Sequence, residues 1–160
     1  MSNITKVARV LIAIALIATG CSQGKRPFLM VQLCLAGDSD LRLLESELRA
    51  IADEDHSQFV DSSGSTKRSL ESIGHSNAER TLGSPVVSWD INRKDGSGVG
   101  IGNLSLPGYQ IALGFSAKAD PSESKRFADT VVQRLKTHWQ VYVVPDDRGA
   151  LPLSNCQYRE

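Results

Sequence analysis

Three cysteines and one run of alternating glycines are the residues in this chain whose types and spacing bear most directly on chemistry. Cys21, Cys34 and Cys156 form no CxxC pair, and none stands beside a histidine. The spacing of a dithiol redox centre, a zinc knuckle or a base-activated thiolate is therefore absent. The stretch from Asp95 through Gly96, Gly98, Gly100 and Gly102 to Asn103 has the glycine density of a phosphate-binding loop. Such loops need a helix after the glycines, so that its backbone N–H groups and dipole meet the anion. Here an extended segment follows and no GK[ST] is present. The run reads instead as a glycine-rich hairpin arm, suited to close backbone contact with a partner. Asp53 and His56, three positions apart at a helix end, could face one metal ion, yet no second ligand pair accompanies them. A solvated helix end is the better reading. HExxH and GxSxG are also missing, so the sequence assigns no catalytic residue, no cofactor and no metal centre.

Composition narrows the classes further. The 160 residues carry 18 Lys and Arg against 18 Asp and Glu, with 41% apolar residues. That is an ordinary globular balance. A neutral chain lacks the phosphate attraction on which most nucleic-acid binding rests, so no nucleic-acid partner is expected.

The first residues are the most specific. Lys6 and Arg9 form a basic start without acids, and Val10 to Ala18 is an unbroken apolar run. Nine helical residues span roughly 14 Å, under half of a hydrocarbon core of about 30 Å. The run has the size of a signal-peptide core instead. Ala18, Thr19 and Gly20 then lead into Cys21. In this the segment resembles a bacterial lipoprotein precursor, whose lipobox sets small residues before an invariant cysteine. It departs from that pattern at Ala18, where Leu is usual. The resemblance implies cleavage after Gly20, diacylglycerol on the Cys21 thiol and acylation of the new amino group. Ser22 after the cysteine implies the outer membrane facing the periplasm. Three acyl chains would hold the domain permanently, since each buried CH₂ contributes about 0.8 kcal/mol.

Three segments result: residues 1–20 as signal peptide, 21–27 as lipidated tether, and 28–160 as one periplasmic domain. Loss of Lys6 and Arg9 leaves 16 basic against 18 acidic residues. An oxidising periplasm lets Cys34 and Cys156 pair, and a disulfide is favoured over two buried free thiols.

Regular elements follow from periodicity. Phe28 to Ala36 is a continuous apolar run, the mark of a strand buried on both faces. Gly37-Asp38-Ser39 turns the chain and offers a helix cap. Leu41, Leu44, Leu48 and Ile51 predict an amphipathic helix from Asp40 to about Glu54. A short strand at Gln58–Asp61 and a helical turn or two near Lys67–Ile73 interrupt the polar stretch that follows. Val86–Asn92 and Tyr109–Ser116 alternate as half-buried strands. Asp120, Pro121 and Glu123 start a second main helix with the stripe Phe127, Val131 and Leu135. Trp139–Val144 is the last strand. The order predicts an α+β, ferredoxin-like βαββαβ sandwich with a central antiparallel sheet and two main helices, its first and last strands neighbouring at the sheet centre.

The functional expectation is a membrane-anchored envelope lipoprotein whose periplasmic domain binds a protein partner without catalysis. The competing reading is an immunity or inhibitor lipoprotein that neutralises a cell-wall-degrading enzyme. That reading requires a rigid loop able to fill a cleft, for which the Asp95–Gly108 arm is the candidate.

Overall fold

A computed structural model describes residues 26–74, 79, 82–118, 120–154 and 156. The signal peptide, the lipobox and Cys21 lie outside the described residues. The elements are β1 (Leu29–Cys34), α1 (Asp38–Glu54), β2 (Gln58–Asp61), α2 (Ser63–Ser72), β3 (Ser88–Asn92), β4 (Gly98–Gly102), β5 (Gln110–Ser116), α3 (Pro121–Lys136) and β6 (Val141–Val143). The strands form one six-stranded sheet in the order β2-β3-β4-β5-β1-β6. Every neighbouring pair is antiparallel.

Side-chain alternation assigns the two faces. Val31, Leu33, Trp89, Ile91, Val99, Ile101, Ile111, Leu113 and Phe115 all point to one side and are buried. Their registers put Val31 opposite Leu113, Ile101 opposite Leu113, and Ile91 opposite Val99. Onto this face α1 lays Leu44, Leu48 and Ile51, and α3 lays Phe127, Val131 and Leu135. Each such side chain contributes on the order of 1.5–3 kcal/mol by leaving water. Helices α1 and α3 thus cover the same face.

Helix α3 starts as its sequence predicts. Pro121 occupies the first turn, and the Asp120 carboxylate accepts N–H bonds from Ser122 at 2.8 Å and Glu123 at 3.4 Å. Helix α1 starts differently. Gly37 holds the cap position without any side-chain bond. Asp40, one turn in, accepts instead from the Ala36 N–H and the Trp139 indole. Asp38 accepts from the Tyr109 hydroxyl. Both acids sit where the helix dipole favours negative charge.

Two sequence expectations are corrected. Val86–Asn92 and Tyr109–Ser116 are not sheet neighbours, because β4 lies between their strands and pairs with both. Nor is the last strand central: β6 neighbours β1 but forms the sheet edge. The helical turns near Lys67 prove to be a ten-residue helix, α2, which buries no residue.

Candidate functional site

The strand β4 falls in the segment expected as a glycine-rich hairpin arm, and its placement decides where a site can form. Asp95 and Gly96 make the tight β3–β4 turn. The Asp95 carboxylate accepts from the Ser97 N–H and hydroxyl, and Gly96 takes a φ of 80°, which few other residues tolerate. The Ser97 bonds, side chain first, hold the Asp95 carboxyl below its ordinary value. Gly98, Gly100 and Gly102 lie inside the sheet. Asn103 is buried rather than presented outward. Its side chain accepts from the Val87 N–H at 2.9 Å and donates to Ser84 and the Pro85 carbonyl. These six residues therefore do not form a protruding loop. Of the Asp95–Gly108 arm, the part outside the strands is the Asp95–Ser97 turn and the loop from Asn103 to Gly108, on which Leu104 is exposed.

What the glycines build is a floor. On the face away from α1 and α3, one cross-strand row runs Asp90, Gly100, Gly114, Met30. The adjoining row runs Ser88, Gly102, Ala112, Gln32, Tyr142. Strands spaced about 4.8 Å apart put Asp90 and Met30 roughly 14 Å from each other, with only backbone between them. Leu104, Ser105 and Leu106 rise on one side, with Pro27 and Ala150 on another, and enclose a shallow groove of about 520 Å³. Pro27 sits directly above Gly114, 3.5 Å from where a β-carbon would lie. Alternate glycines in a strand mark a place where another group approaches the backbone closely.

Among the described residues, Asp90 is the one ionisable side chain lining this groove. It is half-buried, and burial pushes its carboxyl above the ordinary value near 3.8. A cation brought to it would relieve that cost, because an opposite charge favours the ionised form. The remaining lining is apolar or small. Such a surface can hold a close-fitting chain segment with a basic group at one end.

A second group of charged residues is engaged with one another. Arg93 grips Asp55 through two bonds of 2.8 and 3.2 Å, touches Asp95, and lies over the Phe127 ring. Burial raises the Asp55 carboxyl, but bonds from Arg93 and Ser57 outweigh it and hold it below its ordinary value. This cluster ties the end of α1 to the β3–β4 turn and α3. Asp53 and His56 lie beside it on the exposed helix end, where His56 adopts a φ of 55°. Among the described residues no three potential ligands come together for a metal ion.

Cys34 and Cys156 do meet. Their α-carbons are 5.4 Å apart, in disulfide contact, at the lower end of the helix-free face.

Sequence reasoning missed Asp90, Met30, Gly114 and Ser88 as groove residues. The available signal was that Gly98–Gly102 and Ala112–Ser116 both carry small residues at alternate positions, the pattern of two strands sharing one bare face. No protein-family model matches this chain, and no curated protein sequence matches it either.

Proposed function

We propose that the protein is a lipid-anchored bacterial envelope lipoprotein whose periplasmic domain binds a protein partner without catalysis. The partner's contact surface on this reading is the glycine-floored groove. The observation that carries it is the Asp90-Gly100-Gly114-Met30 row, a backbone floor open over Gly100 and overlain by Pro27 at Gly114, with a carboxylate at its end. A second fact supports the anchor's relevance. Pro27, which walls the groove, follows Cys21 by six residues, so a lipid on Cys21 would hold the groove within about 20 Å of the bilayer. The partner on this account is a protein with a segment close to the membrane surface.

The finer fold belongs to the same proposal. β1, α1, β4, β5, α3 and β6 follow the ferredoxin-like βαββαβ order, with the segment from β2 to β3 as an insertion that widens the sheet. That fold serves many roles and does not itself argue for one.

The test has two arms. Labelled palmitate should enter the full chain and not a Cys21→Ser variant; label in both, or in neither, overturns the anchor. A photo-crosslinking residue at Leu104, exposed on the groove rim, should yield a discrete protein adduct in cells. The same probe at Ile73, exposed on the far side of the sheet order, should not. Equal adducts from both, or none from Leu104, would overturn the groove assignment.

A further inference from the structure

The groove stops at Ala150 because the chain after β6 turns back across the sheet. Among the described residues, 145–154 and 156 belong to no helix or strand. They lie on the same helix-free face and cover the row that continues from Ala112 through Gln32 to Tyr142. Their attachment is mostly polar. The Gln32 side chain donates to the Leu151 carbonyl at 2.8 Å. The Gln110 side chain accepts from the Leu153 N–H at 2.8 Å and donates to the Leu153 carbonyl at 3.2 Å, as a neighbouring strand would. Both glutamines are buried, whereas Leu151 is 56% exposed. Little apolar surface therefore holds the segment down. Its near end is a turn closed by the Arg148 N–H on the Pro145 carbonyl, followed by Gly149, around which there is open space. Its far end is the Cys34–Cys156 contact.

We propose that residues 145–156 are a hinged strap, that the Cys34–Cys156 disulfide is its latch, and that unlatching extends the groove across β1 and β6. The inference rests on the groove being the partner surface, and it assigns that surface a regulated size. Side-chain hydrogen bonds such as those at Leu151 and Leu153 do not by themselves order so long a segment, since net gains per bond are small beside the freedom each residue surrenders. The disulfide supplies the difference. Opening consumes one dithiol: its two hydrogens end on the Cys34 and Cys156 sulfurs as the S–S bond breaks. The dithiol departs as a disulfide, so two electrons are exchanged. Gln32, Gln110 and Tyr142 then join the open face beside Gly102 and Ala112.

Amide hydrogen exchange on the full-length protein in detergent, oxidised and then treated with dithiothreitol, tests this. The Leu153 amide should lose its protection and exchange at the rate of a free peptide. The Leu33 and Leu113 amides, in β1 and β5, should stay protected at least 100-fold. A Cys34→Ser, Cys156→Ser double variant should match the reduced protein without reductant. Continued protection of Leu153 after reduction would overturn the strap, as would loss of Leu33 and Leu113 protection together with it. The readout needs no partner, so its failure is distinct from a failed crosslink at Leu104.

Discussion

Alanine at Gly98 and alanine at Gly100 should have opposite effects on stability, although the two positions are adjacent on one face of one strand. A β-carbon at Gly98 would press against the backbone of β3, on the Ile91 carbonyl oxygen, with that group's carbon at 3.2 Å and the Asn92 α-carbon at 3.5 Å. Those atoms belong to a paired strand and cannot give way without disturbing the β3–β4 register. Overpacking of this kind costs about 1–3 kcal/mol or more. Against it stands about 0.4–1 kcal/mol gained by restricting the unfolded chain. The net loss is on the order of 1–2 kcal/mol, or roughly 3–8 °C in Tm for a domain of this size. At Gly100 the nearest atom is the Asp90 Oδ1 at 3.4 Å, an ordinary contact with a side chain that can move. Only the unfolded-state gain is left there, so Gly100→Ala should be neutral or raise Tm by a few degrees. Thermal and urea denaturation of the domain from Ser22 onward, followed by circular dichroism, reads both. Equal stability of the two variants would refute the reasoning, because it would mean that β4 does not occupy this register between β3 and β5.

Asp90→Asn should raise stability at neutral pH by no more than about 1 kcal/mol, given the solvent near the carboxylate. Because burial raises the native carboxyl, its charge costs stability increasingly as pH rises from the ordinary value near 3.8 and fully above the raised native value, so the gain should disappear in urea titrations below 3.8. Arg93→Met should cost about 1.5–3 kcal/mol, the worth of hydrogen bonds to a charged group. The native Asp55 carboxyl is held low, so its contribution is present above about 3.8 and lost as pH falls through the native value. The deficit of Arg93→Met should therefore shrink in acid, and a deficit independent of pH would contradict the ion pair. Cys34→Ser with Cys156→Ser should lower the unfolding free energy by at most about 4–5 kcal/mol, the chain-entropy figure for the separation of 122 residues. A released strap regains freedom in the native state too, so the calorimetric loss should fall short of that bound.

The helices and most strands were legible because their apolar periods are long and uninterrupted. The Leu41-Leu44-Leu48-Ile51 stripe and the Asp120-Pro121 start each draw on several signals that agree, and all those leucines and the isoleucine are buried. Strand β4 was hidden for a physical reason. Val99 and Ile101 carry the two-residue period of a strand, but the glycines between them have the signature of a turn. Only pairing on both sides stabilises such a segment, and pairing is a property of distant residues. Asn103 was hidden likewise, since an asparagine after a glycine run looks solvated until Val87, Ser84 and Pro85 close around it. The groove exists only through register: Asp90, Gly100, Gly114 and Met30 come from four strands and share no local pattern. The cysteine pairing was legible because the expected compartment favours it and a segment returning from the last strand could bring Cys156 to Cys34.

The claim that this face is where a partner docks is tested most directly by filling it. The domain from Ser22 onward and its Gly100→Val variant, first matched for Tm, would each be used to capture proteins from the envelope fraction of the source organism. The account predicts a stoichiometric protein retained by the unaltered domain and lost from Gly100→Val, with retention falling also for Asp90→Asn. A partner held equally by all three forms, or no specific partner for any of them, would contradict it.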